Sequence, residues 1–132
     1  MLKSIAVRMM LLTALCAAGY SCRSETPKEG KLFILGGGNL SSSIISKIVA
    51  ESGLDKGGYG VILPMSSEEP DTAIFYTTAY FTKQGLNNVH GLHFVRGKPY
   101  SQARIDSIRN ARMVFISGGD QSRFMQAIEG TP

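Results

Sequence analysis

Four short apolar runs, each closed by a turn-forming cluster and followed by helical periodicity, restrict this chain to one fold class. Lys31 to Leu35 (KLFIL) ends in Gly36-Gly37-Gly38, and Tyr59 to Leu63 (YGVIL) is stopped by Pro64. Val89 to Val95 is the third run; Met113 to Ile116 (MVFI) is the fourth and breaks at Ser117-Gly118-Gly119-Asp120. Between them, Ile44, Ile45, Ile48 and Val49 recur at helical spacing up to Gly53. Asp71 to Gln84 reads as a second helix, with Pro70 at its start and Gly85 at its end. Ser101 to Asn110 is a third, with Ser101 as N-cap and Ile105 and Ile108 turned inward, and a last helix begins near Gln121. Strands that are apolar throughout are buried on both faces. Alternating with amphipathic helices, they predict an α/β domain with a parallel sheet and helices on both faces.

The chain has 132 residues, enough for one domain and not for two. Asp120 to Glu129 starts a helix, and Gly130-Thr131-Pro132 reads as the turn after it. A parallel sheet needs a further strand to cover the fourth, so the pattern predicts a domain truncated after about four strands.

The first stretch has a different character. Lys3 and Arg8 precede an uncharged apolar run, Met9 to Ala18, and small residues lead to Cys22. That is the layout of a secretion signal over residues 1–22, followed by a polar tether over 23–30. The apolar run is about half of what a membrane-spanning helix requires. Cys22 reads either as a lipidation site, from which the mature chain is anchored, or as an inert cysteine beside an ordinary cleavage point. An exported bacterial protein is implied, periplasmic or membrane-anchored through that lipid. With Cys16 inside the leader, at most one cysteine remains, so no internal disulfide holds the fold. Removing Lys3 and Arg8 lowers the net charge from +4 to +2, and no basic cluster follows, which argues against nucleic-acid binding.

In an open parallel sheet, ligands bind at the carboxyl ends of the strands. Three of the predicted strand ends carry unusual loops that would open on one edge: Gly36 to Asn39, Pro64 to Glu69, and Gly118 to Gln121. Gly36, Gly37 and Gly38 leave backbone N–H groups accessible to a carbonyl or phosphate, but without G-x-G-x-x-G spacing or a Walker lysine they read equally as a sharp turn. Asn39 either contacts a ligand or caps the next helix; Ser41, Ser42 and Ser43 read as helix-start residues. Gly118 and Gly119 leave amides free to point into a site, as an oxyanion hole requires. Asp120 suits the N-cap of the last helix, which leaves Gln121 available to the cleft. His90 and His93, three apart on a strand, fall on opposite faces and cannot jointly hold a metal. Arg96 and Lys98 could meet a carboxylate, or are solvated surface charges.

Leu32-Phe33-Ile34-Leu35-Gly36-Gly37-Gly38, Val61-Ile62-Leu63-Pro64-Met65-Ser66-Ser67 and Phe115-Ile116-Ser117-Gly118-Gly119-Asp120-Gln121, in that order and spacing, resemble the cyanophycinase branch of the S51 serine peptidases. The resemblance runs from about Lys31 onward, and the Gly-Gly-Asp-Gln turn is its most specific element. It implies a three-layer α/β fold akin to class I glutamine amidotransferases. It also implies hydrolysis of peptide or isopeptide bonds at Asp-containing substrates by a serine with histidine and acidic partners, using no metal or cofactor. In that family the nucleophile occupies a Gly-x-Ser-Ala-Gly elbow after the strand that follows the Gly-Gly-Asp-Gln helix, and the histidine and acid come later. No G-x-S-x-G occurs here, and neither His90 nor His93 matches the family's catalytic position, so this chain is expected to hold no catalytic side chain and to be inert by itself. What carries over is Gly118, Gly119 and Asp120 as oxyanion or cleft backbone and Gln121 as a substrate contact. Gly37 and Gly38 would form the cleft floor, with Asn39 as a further substrate contact. A peptide substrate is the implied partner, and the complete protein could be a homo-oligomer. Two other readings stand beside it: a small-ligand or nucleotide-binding α/β module using Gly36 to Gly38, and a non-catalytic surface lipoprotein.

Overall fold

Parallel strands need crossovers, and here each crossover is a helix whose ends are written in the sequence. The computed structural model describes residues 29–131; the predicted leader, Cys22 and most of the tether lie outside them. Helix α1 (Ser42–Ser52) is capped by the Ser41 hydroxyl, which accepts from the Ile44 N–H, and stops at Gly53 in the left-handed conformation, φ 66°. After a single 3-10 turn (Leu54–Lys56) comes strand β1 (Gly60–Leu63), every residue of which is buried. Helix α2 (Pro70–Thr82) opens with its proline. Strand β2 (Val89–Gly91), helix α3 (Gln102–Arg109), strand β3 (Met113–Ile116) and helix α4 (Gln121–Ile128) complete the order. Ser101 caps α3 through the Arg104 N–H, and the Asp120 carboxylate caps α4 through the Ser122 N–H.

The strands form a three-stranded parallel sheet in the order β2-β1-β3. Its register places Ile62 beside Phe115 and Gly60 between Val89 and Met113, so these share a face. That face packs against Ile45, Ile48 and Val49 of α1 and against Phe81 of α2, whose ring meets Phe115 edge-on at 6.2 Å between centroids. The opposite face carries Val61 and Leu63, covered by Ile108 of α3 and by Phe124, Ala127 and Ile128 of α4. The chain is therefore a small α/β domain with a parallel sheet and helices.

Two predicted strands differ from expectation. Lys31 to Leu35 is not in the sheet: Phe33 and Leu35 pack against the α1–α2 core, while Leu32 and Ile34 are 86% and 87% exposed. An apolar run supplies burial but not a ladder: here alternate side chains, Phe33 and Leu35, are packed against the core while the backbone pairs with neither outer strand. The sheet thus has three strands rather than four, and Lys31 is held instead by an ion pair to Glu51 of α1. Strand β2 ends at Gly91 rather than Val95. One further bond, from the Leu92 N–H to the Ile62 carbonyl at 2.8 Å, extends the pairing a step past β2, and His93 falls outside the strand.

Strand β3 is an edge, and its outer residues are under-covered. Val114 and Ile116 pair with the buried Val61 and Leu63, yet they are 43% and 54% exposed. An apolar strand edge of this kind templates association with another chain. Concentration-dependent self-association in sedimentation velocity is therefore expected, and Ile116→Lys should abolish it while leaving the far-ultraviolet circular dichroism unchanged. A wild-type chain that stays monomeric at high concentration would contradict this account of the edge.

Candidate functional site

The carboxyl ends of β1 and β3 are joined into one rigid edge by backbone and hydroxyl contacts. The Ser117 N–H donates to the Leu63 carbonyl at 3.1 Å, extending the ladder one step past β3. The Ser66 hydroxyl donates to the Ser117 carbonyl at 2.5 Å and lies 3.2 Å from the Ser117 hydroxyl. Both serines are buried, so these bonds satisfy polar groups that have no access to water. The Asp120 N–H then donates to the Ser66 carbonyl at 2.9 Å.

This closeness demands glycine at position 119. Its φ is +140°, and a Cβ there would stand 2.1 Å from the Ser66 carbonyl oxygen. A backbone atom cannot swing aside as a flexible side chain can. At Gly118 the corresponding space is open. Of the two glycines, Gly119 is thus needed for the approach of the loops and Gly118 is not.

The same contacts sort the three candidate amides. The Asp120 amide is spent on Ser66, which removes it from the expected set of oxyanion donors. Among the described residues, the Gly118 and Gly119 amides meet no protein acceptor. The Asp120 carboxylate is held below its usual range chiefly by the backbone N–H of Ser122, against an opposing effect of burial and with smaller help from Arg123 and the Ser122 hydroxyl. A depressed carboxyl pKa means that the cap contributes fully above the ordinary carboxylate range. It is lost as pH falls through the lowered folded value.

Beside this edge lies a groove of about 320 Å³ between the loop after β1, the segment after β2 and helix α4. Its walls include Glu68, His93, Phe94, Arg96, Arg123 and Gln126. Arg123 donates to the Glu68 carboxylate at 2.8 Å and to the Ser66 carbonyl at 3.4 Å, bracing the β1 loop against α4. Arg123 and Glu68 are site residues that the sequence reading passed over. The available signal was opposite charge on the loop after β1 and on the first turn of the helix that follows β3, two segments already expected to converge.

Gln121 is exposed and does not line this groove. At about 100° per residue it sits roughly 200° around α4 from Arg123. Arg123, Gln126 and Ala127 form the groove-facing stripe, and Gln121 lies on the other flank. Gly37, Gly38 and Asn39 are also exposed and also outside the groove. Because Lys31 to Leu35 is not a strand, nothing holds its end to the common edge. Asn39 does not cap α1, since Ser41 does; its side-chain oxygen instead accepts from the Tyr80 hydroxyl at 3.4 Å. His90 and His93 are both exposed, and among the described residues no three His, Cys, Asp or Glu side chains are grouped as a metal site. No helix among the described residues is long and apolar enough to cross a membrane.

Comparison of the chain with protein-family models, curated proteins and solved structures gave no match.

The two glycines should separate in a stability measurement. Gly119→Ala adds a strained φ and a backbone clash, and is expected to cost more than about 2 kcal/mol in urea denaturation. Gly118→Ala, with open space at its Cβ, should stay within about 0.5 kcal/mol. Equal effects would mean that the two loops are not in the contact described.

Proposed function

We propose that this chain supplies the substrate-side half of an exported, cyanophycinase-like serine peptidase acting on peptide or isopeptide bonds of Asp-containing substrates. The nucleophile, histidine and acid come from further sequence in a class I glutamine amidotransferase-like fold. The observation that carries this reading is the pair of Gly118 and Gly119 amides at the carboxyl end of β3, which among the described residues have no protein acceptor and stand beside an unpaired edge of that strand. A parallel strand added there would bring its own carboxyl end, and any nucleophile on it, alongside those amides. Donors fixed where charge develops need no reorganisation during reaction, which is why such sites are effective. Gln121 begins α4 two residues beyond and lies on the flank away from the groove, where it would contact substrate beside Gly119. Cys22, if lipidated, would tether the enzyme to a membrane, and the chain, carrying no G-x-S-x-G serine, would be inert by itself.

The test is labelling by a fluorophosphonate probe. The 132-residue chain should label no more than its denatured control. A product extended by the coding sequence that follows should label at the serine of a Gly-x-Ser-Ala-Gly elbow. In that product Gln121→Ala should lower kcat by about 10²-fold, the typical cost of one positioned hydrogen bond to a developing charge. Labelling of the 132-residue chain, or an extension that lacks the elbow, would contradict the proposal.

A further inference from the structure

The groove beside the β1–β3 edge holds charges that the proposed chemistry does not use. Arg123 is engaged there already, by the Glu68 carboxylate and the Ser66 carbonyl. Arg96 is not: among the described residues it meets neither a carboxylate nor a hydrogen-bond acceptor. Its segment is irregular, yet it is held at several points. The Leu92 N–H donates to the Ile62 carbonyl, and Phe94 is buried with its ring 5.1 Å from that of Tyr100. The Arg104 guanidinium lies 5.0 Å over the Phe94 ring and donates to the His93 carbonyl. The Lys98 N–H closes a turn onto the Val95 carbonyl at 3.2 Å. A cation presented from a fixed backbone gives up less freedom on binding than one on a mobile loop.

We propose that this groove receives one side-chain carboxylate of a peptide substrate, with Arg96 as its charge partner. The identification of the ligand as a peptide rests on the peptidase reading above. The charges in the groove favour a single negative charge. Arg123 and Glu68 balance each other as an ion pair, which leaves Arg96 as the one guanidinium of the groove without a partner among the described residues, a single positive charge that one carboxylate matches and a phosphate dianion exceeds. Planar guanidinium matches planar carboxylate through two parallel hydrogen bonds. Gln126 supplies a neutral donor nearby, and Phe94 and Met65 provide apolar wall for the aliphatic part of the ligand. Arg96 is a binding and specificity residue in this account, distinct from the Gly118–Gly119 amides, which do not line the groove.

The probe pair is acetyl-Ala-Asp-Ala-amide and its Asp→Asn counterpart, titrated onto the chain and followed by saturation-transfer NMR of the peptide signals. The aspartyl peptide should bind at least about 10-fold more tightly than the asparaginyl one, and Arg96→Ala should erase that preference without changing asparaginyl binding. Arg96→Lys should retain part of it, and Lys98→Ala, which removes a neighbouring exposed charge, should retain all of it. Absence of any aspartyl preference, its survival in Arg96→Ala, or its equal loss in Lys98→Ala would each overturn the subsite. Displacement of the aspartyl peptide by equimolar inorganic phosphate would overturn the assignment to a carboxylate. These outcomes are separable from failure of the peptidase reading. A preference that depends on Arg96, found together with an extended product that does not react with fluorophosphonate, would leave the subsite standing and remove the catalytic claim.

Discussion

The approach of two strand-end loops to within hydrogen-bonding distance of each other, allowed by the missing side chain at Gly119, underlies everything else at the functional edge. Because the Gly119 backbone lies against the Ser66 carbonyl, the Asp120 amide can reach that carbonyl, and Asp120 is thereby placed to cap α4. Once α4 is oriented, Arg123 reaches the same carbonyl and Glu68, which closes one wall of the groove. The buried Ser66–Ser117 contacts add a polar tie in a place where water cannot substitute. A single larger residue at position 119 would disturb each of these in turn.

Much of this was legible in the sequence, and the reasons are local. Ser41, Ser101 and Asp120 announced three helix starts because capping depends on one side chain and the adjacent N–H groups. Tyr59 to Leu63 and Met113 to Ile116 read as strands because both are short apolar runs closed by turn formers, although only the first, over Gly60–Leu63, is buried throughout. What was not legible depended on neighbours far along the chain. The KLFIL segment has the composition of a strand, yet strand formation requires a partner, and its composition could not reveal that β1 pairs with β2 and β3 instead. That one difference also separates Gly37, Gly38 and Asn39 from the edge to which they had been assigned.

The candidate site was legible to a similar extent. The Gly-Gly-Asp-Gln turn does sit at a strand end against a second loop, but its residues divide the work differently from expectation. Gly119 makes the close approach, Asp120 spends both its amide and its carboxylate on structure, and Gln121 turns away from the groove. The groove itself draws on Arg96 and on Arg123 and Glu68, the last two paired with each other across tens of positions in sequence. Spacing rules that find caps and turns have no access to such pairs.

The central claim, that the β1 and β3 loops are locked together while the Gly118 and Gly119 amides stay available, is open to direct measurement by amide hydrogen exchange. The account predicts strong protection at Asp120 and Ser117, whose N–H groups donate to Ser66 and Leu63, alongside exchange near the unprotected rate at Gly118 and Gly119. Rapid exchange at Asp120, or protection at the two glycines equal to that of Ser117, would contradict it.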